Sequence, residues 1–373
     1  MFAFFYIIAL VPSLIAALSF IFSRKVHWIE WLASTAMAFI ISGIMHGTAI
    51  YGMTRDIECL SGKIVKVIHM PQWIEEYQQR HESTSTDSKG KTHTKVWYTT
   101  EHETHHEYWE SHLDFGRIQE TKRIDNNLYK EILTNFGGKI EINGKQSCSH
   151  LGGDFDGGDN NIYVVNNKTG YIYPVTTTKE FKNKIKAAPT VFSFAKVPTN
   201  APVYLWPENP NHMRSDRVLG VCKINTREWD LMCSRLGPKN KVNPIIIGFN
   251  NVDSMMGKWQ QAAWIGGKKN DLVLCYGVNG TNIVWSFVFG WTEKEICKRN
   301  LETILLKNPI NDSIIPLIEK EIIMNYVIKD WSKLDYITIE PPKWAYIALI
   351  FSMILTQGFF WWWARTNDID KRQ

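Results

Sequence analysis

The chain has 373 residues, enough for about two domains, and its 13% aromatic content demands burial, which excludes a long disordered protein. Its 42 basic against 37 acidic residues leave a net charge of +5, too weak a balance to point to nucleic acid. The apolar residues crowd the two ends, so the sequence reads as a membrane protein with a polar middle.

The first apolar run, Met1 to Phe22, carries no charge. It is long enough for an ~30 Å hydrocarbon core, which takes about 20 helical residues. Pro12 would kink it, as bundled membrane helices tolerate. A cleavable signal peptide is the rival reading, and it lacks the basic leading segment. The second run is Trp31 to Met53, where Gly43 and Gly47 form a G-x-x-x-G face on which another helix could pack closely. His46 lies in the middle of it. An ionisable residue there is a functional candidate by default; the preferred reading is a neutral imidazole hydrogen-bonded to a neighbouring helix. The third run, Trp344 to Ala364, ends in the aromatic girdle Phe359 to Trp363.

Orientation follows from basic residues in short loops. Arg24 and Lys25 lie between the first two runs, and Arg365, Lys371 and Arg372 follow the third. Both segments are expected in the cytoplasm, which puts the N-terminus and Thr54 to Lys343 on the opposite side of the membrane. Arg55, Lys63, Lys66, Lys333 and Lys343 at the flanks of that segment pull the other way, but long domains translocate largely regardless of charge.

The polar middle has two halves. From Glu58 to about Pro210 the stretches GKIVKVIH, KVWYTT, NIYVVNN and YIYPVTTT read as strands separated by Gly, Asn and Asp turns. Gln78 to Thr94 reads as a polar loop. From about Arg217 to Trp331 strands and helices alternate. Thr226 is expected to cap a helix that stops at Gly237-Pro238, and PIIIGFN, DLVLCYG and IVWSFVFGW are buried strands. Thr292 with Glu295 forms a capping box, and Ser313 to Trp331 is a final helix with Leu317, Ile318, Ile322 and Tyr326 on one side. The expected architecture is α+β. A transmembrane helical hairpin (residues 1–55) leads into a β-rich extramembrane region (56–215), an α/β region (216–342), and a C-terminal transmembrane helix with a basic tail (343–373).

The strings YPVTTTKEFKNKIKAAPTVFSF, QQAAWIGGKKNDLVLCYG, WSFVFGWTEKEICK and IEPPKW resemble a family of uncharacterised membrane proteins of tailed bacteriophages, over most of the chain from about Asp56 onward. The resemblance implies a phage-encoded protein of the host envelope and carries no chemistry. Other members of that lineage often have paired cysteines early in the soluble part, where this chain has histidines. The second half is also similar to TPM domains, small membrane-anchored α/β domains, in strand order and a KNDLVL-like strand.

The sharpest motif is His-rich. HETHHEYWESH places His102, Glu103 and His106 as H-E-x-x-H, which on a helix aims two histidines at one zinc ion with Glu103 as base. His112 stands at the third-ligand spacing of metzincin proteases. Trp109, however, occupies the position where those enzymes need Gly, and KVWYTT runs into the segment as a strand. Along a strand His102 and His106 lie ~13 Å apart, too far for one metal unless the backbone turns. Without catalysis, His102, His106 and His112 remain candidate zinc ligands. In GGDFDGGDNN, Asp154, Asp156 and Asp159 could face a calcium ion, but EF-hand spacing is missing and a Gly/Asp/Asn turn accounts for the composition. The six cysteines form no C-x-x-C; Cys275 and Cys297 read as small apolar core residues, and Cys222 and Cys233 could pair in a periplasmic domain. No nucleotide-binding loop or nucleophile elbow is present.

The expected function is therefore non-enzymatic: an integral inner-membrane protein that binds an unknown protein partner in the host envelope, in superinfection exclusion or lysis modulation. The alternative is a metal-dependent hydrolase using His102, Glu103, His106 and His112. The two differ in local structure, because the hydrolase needs His102 to His106 on a helix facing a pocket.

Overall fold

The computed structural model describes residues 28–116, 118–207 and 216–366, with helical residues 6–8, 10–11, 14–15 and 17–18. The rest of Met1 to Phe22, residues 23–27 with Arg24 and Lys25, and the tail beyond Thr366 lie outside the described residues.

Helix α1 (Trp28–Thr54) is the one described helix long and apolar enough to cross a membrane. At 1.5 Å per residue its 27 residues reach about 40 Å. Helix α8 (Lys343–Thr366) closes the described chain, and its apolar stretch, Lys343–Phe359, is shorter. The two run antiparallel. Ser34 Oγ donates to Gln357 Oε1 at 2.6 Å at one end, and Ala38 and Ala49 pack with Ala345, Leu349 and Met353. Ser34, Ala38, Ser42 and Ala49 are buried, a small-residue seam that lets the backbones approach. Gly43 and Gly47 lie off this seam, and a Cβ on either would meet nothing within 4 Å. The G-x-x-x-G face is thus not the one α8 uses. His46 Nδ1 lies 3.5 Å from the Tyr6 hydroxyl, a neighbour of the kind expected for a neutral imidazole.

Between these helices the chain is α+β, with a β-rich first half. Strand β1 (Arg55–Met70) leaves α1 without a break, and β2 (Trp73–Thr86) and β3 (Thr92–His105) follow as a long hairpin. Then come β4 (Tyr108–Asp114), β5 (Gln119–Ile124), α2 (Asn126–Asn135), β6 (Glu141–Lys145), β7 (Asp154–Gly158), β8 (Asn161–Asn166), β9 (Pro174–Lys182) and the short α3 (Lys184–Ala187). Antiparallel β1 is the spine of a six-stranded sheet in the order β5-β4-β1-β8-β6, with β9 paired along its first half. Its core is Ile64, Val67, Leu113 and Val165 under Ile132 and Phe136 of the α2 segment. Strands β3-β2-β7 form a separate sheet.

Gln78 to Thr94, expected as a loop, is largely strand. Pairing runs from Trp73↔His105 to Thr86↔Thr92. The turn is confined to Asp87–Lys91, where the Asp87 carboxylate accepts from the Lys89 and Lys91 amides and Gly90 takes φ +78°. The Ser/Thr-rich strands suit an exposed two-stranded ribbon, which polarity alone does not distinguish from a loop.

The second half comprises β10 (Val218–Gly220), α4 (Thr226–Asn240), β11 (Asn243–Phe249), α5 (Met255–Ala263), β12 (Asp271–Asn279), β13 (Asn282–Gly290), α6 (Glu295–Lys307) and α7 (Ile315–Asn325). Strands β10, β11 and β12 are parallel and β13 closes the sheet antiparallel. Helix α4 does not stop at Gly237-Pro238; it runs to Asn240, with Asn225 as N-cap and Lys241 left-handed at its end. Gly237 serves contact instead, because a Cβ there would fall 2.2 Å from the Ser61 carbonyl oxygen on β1. Thr292 does not cap α6; its hydroxyl donates to the Val327 carbonyl and the helix begins after Lys294. The final helix is shorter than expected, α7 ending at Asn325, and Leu317 is exposed while Ile318 and Ile322 are buried. All six cysteines are free in this structure, Cys222 and Cys233 included.

One buried network joins the halves. Arg217 is 1% exposed. It donates to Asn243 Oδ1 (2.7 Å), Asp230 Oδ1 (3.1 Å), Ser61 Oγ (2.9 Å) and Cys59 Sγ (3.3 Å), linking β1 of the first sheet to α4 and β11 of the second. Asn243 passes the link to Asp271 at 2.8 Å, and Asn270 Nδ2 returns it to the Cys59 carbonyl at 2.6 Å. Burial pushes the Asp271 carboxyl up, against the donors Asn243, Lys268 N and Trp206 Nε1.

Candidate metal centre

Six titratable side chains gather at the base of the β2–β3 hairpin. Period-two alternation sends Trp73, Glu75 and Tyr77 to one face of β2, and Ile74 and Glu76 to the other. The register then sets Glu75 opposite Glu103, Glu76 opposite His102 and Trp73 opposite His105. On the first face the ligand atoms of Glu75, Glu103 and His105 lie within 4.8 Å of one another; on the second, those of Glu76, His102 and Asp156 do. Both sets carry the chemistry of a cation site: imidazole nitrogen with carboxylate oxygen.

The two sets differ in how their oxygens are already used. Glu75 is fully buried, and its Oε2 accepts from His105 Nε2 (2.7 Å), Ser149 N (2.8 Å) and Ser149 Oγ (3.0 Å). Its Oε1 accepts from His150 N at 2.9 Å. Burial works against ionisation of this carboxyl, but the Ser149 and His150 amides, the imidazole and the hydroxyl outweigh it and hold the carboxyl down at about 2. An ionised carboxylate only accepts, so His105 carries its hydrogen on Nε2. The His105 ring stacks on Trp73 at 4.2 Å and 6°, and His150 stacks on Tyr77 at 3.5 Å and 5°. His105 thus ties β3 to β2 across the hairpin, while the Ser149 and His150 amides on Glu75 and the His150–Tyr77 stack hold the 146–153 segment onto it. A cation here would have to displace those donors. The second set is open: His102 Nδ1 lies 3.1 Å from Asp156 Oδ2, with both side chains about half exposed.

The histidines singled out by motif are divided among different places. His102 lies on β3, and His106 is exposed one residue past the end of β3. His112 lies on β4 in the other sheet, opposite Lys66 and Thr121. Burial, and then the Lys66 charge, pushes the His112 imidazole down. Neither close group among the described residues includes His106 or His112. H-E-x-x-H therefore runs along a strand, and the helix that a hydrolase built on Glu103 needs is not formed by these residues. The calcium candidates also diverge: Asp154 caps its own strand at Phe155 N, Asp156 meets His102, and Asp159 accepts from Asn161 N and the Tyr163 hydroxyl. Glu75, Glu76, Ser149 and His150 escape sequence reading because the 74-residue separation of Glu75 from Ser149 leaves no local pattern.

Zinc titration of the detergent-solubilised chain separates these sets. His102→Ala is expected to weaken any binding by at least tenfold, since it removes the one imidazole of the open group. His106→Ala and His112→Ala are expected to match the parent chain; a loss in either would restore the trio read from spacing.

No protein-family model, curated protein or solved structure matches this chain.

Proposed function

We propose that this is a membrane-anchored, non-enzymatic binding protein of the bacterial envelope, phage-encoded, with residues 56–342 held at the periplasmic face of the inner membrane. The observation that carries the reading is the antiparallel α1–α8 pair. It buries small residues between the helices and turns large apolar ones outward: Ile44 is 62% exposed and Leu355 73%. Such a surface is costly in water and ordinary in lipid. The run Met1 to Phe22 supplies a third span, making the N-terminal hairpin with α1. The resemblance to tailed-phage membrane proteins supplies the host envelope. The projecting hairpin, with Val96, Trp97 and Tyr98 exposed on β3, is the element that meets a protein partner. Blocking a second phage and modulating lysis both fit a protein so placed.

Cys148 is exposed on the folded region and is a native reporter of its side. A membrane-impermeant maleimide is expected to label it in intact spheroplasts, and Cys148→Ala to remove that signal. Labelling only after lysis would put the domain in the cytoplasm.

A further inference from the structure

We propose that the basic cavity between β1, β9 and Trp331 is a receptor for a phosphate-bearing anion, namely the headgroup of an anionic phospholipid. The cavity is about 540 Å³ and is walled by Lys179, Lys241, Lys269 and Lys329, with Glu58 and Asp330 as its acids. Glu58 is opposed by Lys179 in the β1–β9 register and by Lys269 Nζ at 3.9 Å. The Asp330 carboxylate is engaged by Ser332, through N at 3.0 Å and Oγ at 2.8 Å. Four ammonium groups against two carboxylates leave the cavity positive by two, more than neutralising Glu58 requires.

Its place in the fold chooses the source of the anion. A second cavity of about 250 Å³ contains Lys182 and Lys184, the latter paired with Asp335 at 3.1 Å, and shares Lys269, Trp331 and Ser332 with the first. Lys182 pairs with Arg55, the first residue after α1. Trp331 also packs in the cluster that holds Ile50 and Met53, in the last turns of α1, against Ile185, Leu334 and Ile337. The basic stretch therefore begins where α1 ends and has an aromatic ring at its centre. Basic residues at that level attract anionic headgroups, and Trp favours the interface. The lipid assignment rests on the membrane reading above; the phosphate chemistry does not.

The test is the thermal midpoint of the full chain in neutral detergent micelles, titrated separately with phosphatidylglycerol, phosphatidylcholine and soluble glycerol phosphate. Phosphatidylglycerol is expected to raise the midpoint and phosphatidylcholine to leave it unchanged. Lys269→Gln with Lys329→Gln is expected to weaken the phosphatidylglycerol response about thirtyfold, at the usual contribution of a lysine near a charged surface. The exposed lysines Lys130 and Lys145, changed to Gln as a control pair, are expected to leave it intact. Equal responses to the two lipids, or a Lys269/Lys329 variant that responds like the parent, would overturn the site. A response to glycerol phosphate equal to that for phosphatidylglycerol would overturn the lipid assignment. Release of the chain from membranes by alkaline carbonate would refute the membrane reading, whereas a carbonate-resistant chain indifferent to phosphatidylglycerol refutes this proposal alone.

Discussion

Arg217→Ala is expected to be the most damaging single substitution in the folded region. It would leave the buried Asp230 carboxylate without its guanidinium and remove the donors to Asn243 and Ser61. Removing one partner of a buried pair costs about 3–5 kcal/mol, because the other charge stays in a place where water cannot reach it. For a region of this size the thermal midpoint should fall by roughly 10 °C, read by near-UV circular dichroism of the solubilised chain. Because the side chain ties β1 to α4 and β11, the two halves should loosen from one another together. A midpoint within about 2 °C of the parent would show that the network does not hold them.

Glu75→Ala is the second. It takes the buried acceptor away from the part-buried Ser149 and His150 amides and from the His105 imidazole, and leaves the Ser149 hydroxyl only Glu103 as a carboxylate acceptor, at a cost of about 2–4 kcal/mol. The same carboxylate confers an acid dependence. Its pKa is depressed in the folded chain from an ordinary 4.5 to about 2, so its contribution is fully present above 4.5 and is lost as pH falls from there toward 2. Limited proteolysis at the 146–153 segment should therefore speed up over that window in the parent chain. In Glu75→Gln, which cannot ionise and cannot accept all four donors, cleavage should be fast already at pH 6 and insensitive to acid. Parallel acid profiles in the two proteins would show that another group titrates.

How much of this was legible in the sequence depends on the range of the interaction. Runs such as PIIIGFN and DLVLCYG declare buried strands because, apart from the polar residue at one end of each, they are continuously apolar, and they became β11 and β12, both wholly buried at their centres. Local turn chemistry was less decisive. Gly237-Pro238 carries a stop signal, yet the helix passes through it because packing against Ser61 of β1 rewards a residue without a side chain. The Ser/Thr tract of the hairpin lacks an apolar face, so nothing in it announced the 14-residue pairing with β3. The candidate site is the extreme case. His102 belongs to a close group, but its companions Glu76 and Asp156 come from two other strands. The H-E-x-x-H spacing that drew attention to it applies to a helix this segment does not form. Arg217 likewise looks like any basic residue until four partners from three elements converge on it.

The α1–α8 pair is the centre of the functional reading, and alkaline carbonate extraction tests it most directly. Carbonate strips proteins held by charge or by a docked partner and leaves those whose helices sit in the hydrocarbon. Membranes from cells expressing the full chain should retain it wholly in the pellet, as the outward-facing Ile44, Phe351, Ile354 and Leu355 require. Recovery of the folded chain in the carbonate supernatant would contradict the account, because those apolar faces would then have to be covered by something other than lipid.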